Sequence, residues 1–259
     1  MAMISKSPLT SRRFLAPAIH VGVSLLVAAL ASVIVFVVWY PPPYASIAAG
    51  TSLFLLLISV DVVLGPALTA VAADPAKPPS TFRRDLMLIA AVQLAGLGYG
   101  FYSIAQARPV YLVFEVDRFR VVTAADVDDS MLPEAPVALR ELPRSGPKVI
   151  AAAKPTKPDE VLKSLDLAIA GFDISFIPRN WRDYATQRDV AVRVSRPATE
   201  LKAKYPASAD QLARIASDKN QPVESLRFLP VQSRSSNWVA LISSADAQIV
   251  GFLPLDGFF

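Results

Sequence analysis

The chain has no cysteine and one histidine among its 259 residues. Without cysteine there is no disulfide framework, no thiolate nucleophile and no thiolate metal site, a composition compatible with any compartment. With His20 standing alone, no metal site or His-dependent catalytic set can be assembled, and no cofactor is expected. The second half also lacks G-x-S-x-G, a P-loop and H-E-x-x-H, and its neighbouring acids, such as Asp128-Asp129, are what a solvated surface carries. Nothing in these patterns asks for an enzyme.

Charge is scarce in one half only. Residues 1–106 hold six Lys/Arg and three Asp/Glu, whereas the remaining 153 residues hold twenty and nineteen. The net charge is +4, but the second half contributes only 20 − 19 = +1 of it with its signs interspersed, so no nucleic-acid partner is expected. With 53% hydrophobic residues and a mean hydropathy of +0.40, the chain is too apolar for an ordinary soluble protein. The expectation is a membrane half, 16–106, after a short N-terminus, 1–15, and a solvated α+β domain, 107–259.

Three apolar runs predict transmembrane helices over 16–39, 46–71 and 86–105, each near or above the roughly 20 residues a bilayer requires. The first continues through Val33-Ile34-Val35-Phe36-Val37-Val38, too long for a signal-peptide core, and reads as an uncleaved anchor. Lys6, Arg12 and Arg13 precede span one and Lys77, Arg83 and Arg84 separate spans two and three, while the loop after span one has no basic residue. The positive-inside rule then puts the N-terminus in the cytoplasm and the α+β domain across the membrane. In a bacterium this is the periplasm.

That loop contains Trp39, Tyr40, Pro41, Pro42, Pro43 and Tyr44. Amphipathic rings beside a stiff, donor-poor proline turn predict a corner at the membrane interface, one that braces the rim of the bundle against the outer domain. Inside the membrane, Asp61 is the one acid, costing at least about 2.5 kcal/mol at a helix centre, and it should meet Gln93 at similar depth. It either pins spans two and three together or touches a partner helix. Gly65-Pro66 should kink span two. Gly96 and Gly100 form a GxxxG pair, and Ser24, Ala28 and Ser32 a small-residue face; both suit close helix packing, within the chain or with another protein.

In the solvated half, residues 110–116 and 119–122 predict a hairpin, 124–130 a short helix, and 148–153 a strand. Helices are expected over 158–170 and 206–220, the latter capped by Ser208, and strands over 227–231, 238–243 and 248–253.

The order of several short motifs resembles the type IV pilin accessory proteins. They are W39-Y40-P41-P42-P43-Y44, D61-V62-V63-L64-G65-P66, R84-D85-L86, A107-R108-P109-V110-Y111 and the stretch containing Asp117 and Arg118, followed by W238-V239-A240 and G251-F252-L253-P254. The resemblance covers nearly the whole chain and is weakest over 133–225. It implies an inner-membrane protein without known catalytic activity that supports the accumulation or assembly of a type IV pilin, its partner, alongside other pilus components. Read from the residues alone, two alternatives stay open: a small transporter or channel subunit relaying ions through Asp61, and a membrane sensor with a periplasmic ligand domain.

Overall fold

The computed structural model describes residues 8–74, 76–154, 173–234 and 236–259, with side chains from residue 14 onward. The expected helix over 158–170 lies outside the described residues. The chain divides into two compact units, the first comprising Met1–Val38 and Gly50–Gln106, the second Trp39–Ala49 and Ala107–Phe259.

The first unit holds three helices long and apolar enough to cross a membrane, over Phe14–Trp39, Gly50–Ala72 and Pro79–Ala107. Helix α1, Pro8–Val33, widens into a π-helical turn over Ile34–Trp39. The second span is α3, Gly50–Ser59, a π-helical turn over Val60–Leu64, and α4, Gly65–Ala72. The widening has a local cause, because Pro66 has no N–H to donate and its ring would strike the carbonyl one turn back; a π turn accommodates both. Gly65-Pro66 thus produces a bulge that carries Asp61, in a span that stays helical throughout. The third span, α5, Pro79–Ala107, begins seven residues before the expected 86, because Pro79 suits the first helical turn and carries the helix through Arg83-Arg84-Asp85.

The bundle is apolar outside and carries polar groups within. Leu25, Leu26, Leu55, Leu56, Leu88 and Leu94 are exposed, while Ser24, Asp61 and Thr69 are buried. This is the distribution that hydrocarbon demands. Helix α1 packs chiefly on α4 and the Asp61 bulge, with Phe36 and Phe54 meeting edge to face at 5.0 Å.

The second unit is built on a mixed sheet. Its strands are β1, Pro109–Glu115; β2, Arg118–Thr123; β3, Lys148–Ala152; β4, Trp181–Asp183; β5, Arg196–Pro197; β6, Leu226–Gln232; β7, Asn237–Ser243; and β8, Ile249–Leu253. The order is β4-β3-β1-β2-β6-β7-β8, with β5 also pairing with β6. β1 runs parallel to β3 and β2 parallel to β6, the other pairs being antiparallel. β1 is central and buried along its whole length, which explains why its residues read as an unbroken apolar run. Helices α6, Arg188–Val194, α7, Ala198–Lys204, and α8, Ala209–Asp218, complete the unit.

Several expectations are corrected in detail. Residues 124–134 form two short 3-10 turns, Ala124–Asp126 and Asp129–Glu134, in place of a helix over 124–130. Ser208 precedes α8, but its side chain makes no capping hydrogen bond.

The loop after span one belongs to this second unit. Its helical turn α2, Tyr44–Ile47, contributes Tyr44 and Ile47 to the core formed by Leu112, Phe114, Phe119 and Val231. Tyr44 meets Phe252 edge to face at 5.7 Å. The carbonyl of Ile47, at the end of this helical turn, accepts from Ser233 Oγ at 2.7 Å and from Ser236 Oγ at 3.3 Å. Opposite Pro41, Gly146 adopts φ +40°, and an added Cβ would lie 3.0 Å from Pro41 Cγ; only glycine suits both demands.

Candidate functional site

Within the bundle, spans one, two and three enclose a groove of about 450 Å³. Its walls are apolar, with Ile19 and Val23 from α1 and Leu86, Leu94 and Leu97 from α5. The floor is polar, formed by His20, Ser24, Asp61 and Gln93. Asp61 reaches it from the π-helical bulge and is only 8% exposed.

The polar groups of the floor are partly committed to one another. His20 Nδ1 lies 2.6 Å from Thr69 Oγ1, and Ser24 Oγ donates to the Asp61 backbone carbonyl at 3.1 Å. The Ser24 bond uses an acceptor at the widened turn, where the regular backbone ladder is interrupted. Gly65 leaves room for the cluster: a Cβ there would meet Gln93 Nε2 at 2.0 Å and His20 Nε2 at 2.8 Å. Among the described residues no hydrogen bond reaches the Asp61 carboxylate, from Gln93 or from any other side chain. Asp61 and Gln93 therefore share the groove without bonding each other.

The two small-residue faces are used unequally. Gly100 sits against Leu57 of span two, where an added Cβ would lie 2.3 Å from Leu57 Cδ1, whereas Gly96 has nothing within 4 Å of that position. Ser24 is buried inside the bundle, and the Ser32 hydroxyl turns back to the carbonyl of Ala29 at 2.7 Å. Ala28 is half-buried. The Ser24 end of that face is thus spent on intramolecular packing.

In the second unit, the aromatic–proline corner is an inward-facing element. Tyr40 is fully buried and Tyr44 nearly so, while Trp39, Pro41 and Pro43 are half-buried and Pro42 is exposed. The tyrosines serve as core residues in place of the interfacial anchors expected of them. Burial raises the Tyr40 phenol, with Arg108 opposing it, and the same burial lowers the Arg108 guanidinium. Tyr111 and Tyr184 are likewise pushed up to about 12 by burial.

The remaining motif residues hold turns and strand ends. Asp85 pairs with Lys77 at 2.8 Å at the start of span three. Pro109 opens β1, a strand position that tolerates a missing donor. Asp117 and Arg118 pair at 2.8 Å in the β1–β2 turn, and the Arg118 guanidinium lies 4.8 Å from the Phe258 ring centre.

Beside that turn is a half-buried polar cluster around the buried Glu115, which no sequence motif announced. Arg120 Nε donates to Glu115 Oε1 at 3.0 Å, while its Nη2 reaches Asp173 Oδ2 at 2.5 Å and Gln232 Oε1 at 3.0 Å. Burial is the main cause raising the Glu115 carboxyl, opposed by its bond from Arg120 and assisted by the charge of Asp173. Its second oxygen, Oε2, is buried without a hydrogen bond of good geometry. Among the described residues no group of three or more His, Asp or Glu side chains could hold a metal ion.

Against known proteins, the family model described as "Fimbrial assembly protein FimB" matches residues 9–49, which are span one and the buried corner after it. The "Fimbrial assembly protein, serogroup I" of Dichelobacter nodosus is 34% identical over 242 residues, spanning 93% of this chain and 94% of the relative. The chain belongs to the fimbrial assembly protein family. Its serogroup E1 relative from the same organism is 31% identical over the same length and shares, and that of serogroups C1 and C2 is 42% identical over 117 residues, 45% of this chain and 89% of the relative. No solved structure matches. Membership accounts for the motif order that resembles the pilin accessory proteins, and it places the groove and the corner in a protein of fimbrial assembly.

Proposed function

We propose that this protein is a multi-pass inner-membrane assembly factor that binds a type IV pilin subunit before or during its incorporation into the filament. The bundle holds the subunit's membrane helix and the α+β unit, on the periplasmic side, meets its head. The observation that carries this reading is a bundle groove with apolar walls and a polar floor, in a chain related to fimbrial assembly proteins over 93% of its length. A helix seated beside it would approach closely at Gly96, where no side chain stands in the way. The reading requires no catalytic step and no cofactor.

The topology has support of its own. Residues 39–49 and the chain after 107 pack into one unit, and three crossings necessarily return both to the same side. Positive charge flanking the other two segments supports a periplasmic placement of that side.

Two experiments test these claims. Because the chain has no cysteine, single cysteines at Val137, which is 80% exposed, and at Ser80 can be labelled in intact cells and read on the purified chain without background from its other residues. An impermeant maleimide should modify Val137→Cys and spare Ser80→Cys; the reverse pattern would invert the topology. Deleting the gene should lower pilin accumulation and surface filaments, both restored by the wild type. Undiminished pilin and filaments would refute the assembly role.

A further inference from the structure

We infer that the groove between spans one and three receives the pilin's membrane helix with a cationic group, a basic side chain or an amine, set against the Asp61 carboxylate. The inference rests on the reading above and adds the chemistry that selects the helix. Three observations converge on it. Asp61 is nine-tenths buried, lies on a π-helical bulge and shares with His20, Ser24 and Gln93 the polar floor of a groove whose walls are apolar. Its backbone carbonyl is satisfied by Ser24, whereas no hydrogen bond among the described residues reaches its carboxylate. The neighbouring His20 is close enough to act on that carboxylate through charge but makes no hydrogen bond to it, its Nδ1 being engaged with Thr69. An intramembrane acid left in this state is costly. A cation arriving on an apolar helix relieves the cost at one depth only, which fixes the register of the incoming helix.

The other plausible occupant is a lipid chain, which the apolar walls would accept. It offers nothing to a carboxylate at that depth. Charge complementarity therefore favours a helix with one positive group over an acyl chain.

The test uses the full-length protein in membranes of cells that make the pilin. A photoreactive amino acid at Ala90, an exposed residue on the groove wall, reports occupancy, and the same probe at Val137 reports the α+β unit. Illumination should give a pilin adduct at Ala90, mapped to an apolar segment within one turn of a basic residue or amine. Asp61→Leu and Asp61→Asn should reduce it roughly tenfold, the scale of an intramembrane polar contact, and Asp61→Glu should retain it. Val137 adducts persisting in the same variants show that the chain still folds. An Ala90 adduct unchanged by Asp61→Leu, or adducts to lipid alone, would overturn the groove assignment. If pilin is then still captured from Val137, the assembly reading survives its loss. Absence of pilin at both positions in the wild type would overturn both.

Discussion

At the residue scale, the buried ionisable and polar groups make the sharpest predictions. Glu115 has its carboxyl raised by burial, so the folded chain binds that proton more tightly than the unfolded chain. The associated stability is complete below the ordinary glutamate value of about 4.3 and is lost as pH rises through the higher folded value. Melting curves of wild type and Glu115→Gln should therefore diverge in the variant's favour as pH rises across that window; parallel curves would contradict the assignment. Tyr184 donates to the buried Ala247 carbonyl at 2.9 Å. Its change to Phe strands that acceptor and should cost about 1–3 kcal/mol by denaturant titration. Asp61 and Gln93 were legible in the sequence because polar side chains are rare in spans. The engagement of His20 with Thr69 was not, since their separation of 49 positions is bridged only by packing.

At the element scale, the long periodic or apolar pieces were readable and the short ones were not. All three spans and strands β1, β2, β3, β6, β7 and β8 follow from runs of apolar or β-branched residues. Strands β4 and β5, of three and two residues, are too short to carry a period, and the seven-residue α6 and α7 lack a strong start signal. The corner at 39–44 was legible in part, as an element that meets the outer unit, but not in the depth of its burial. Trp, Tyr and Pro beside a span have the chemistry of a membrane interface, yet Tyr44 is buried by contacts with residues such as Phe252, 208 positions away. That burial has a testable consequence. Large apolar side chains contribute about 1.5–3 kcal/mol each, and a domain's whole stability is about 5–15 kcal/mol. Residues 107–259 alone should therefore lack a cooperative melt. Joining residues 39–49 to their N-terminus by a flexible linker should restore it, and a cooperative transition without them would show the corner to be dispensable.

At the scale of the whole molecule, the chain joins a bundle with one acid in an apolar groove to an α+β unit completed by the loop between the first two spans. Family membership ties this arrangement to fimbrial assembly, and the motif order had pointed the same way from sequence. The relation of each site to a partner could not be read in advance, because it depends on which faces the folded chain leaves open. Gly96 and Gly100 illustrate this, being equivalent as a motif and unequal once Leu57 covers one of them. The central claim is that the protein binds pilin. Its most direct test is chemical crosslinking of the tagged native protein in membranes, followed by purification and mass spectrometry of what accompanies it. The account predicts pilin as the dominant crosslinked species; recovery of the intact protein with pilin reproducibly absent would contradict it.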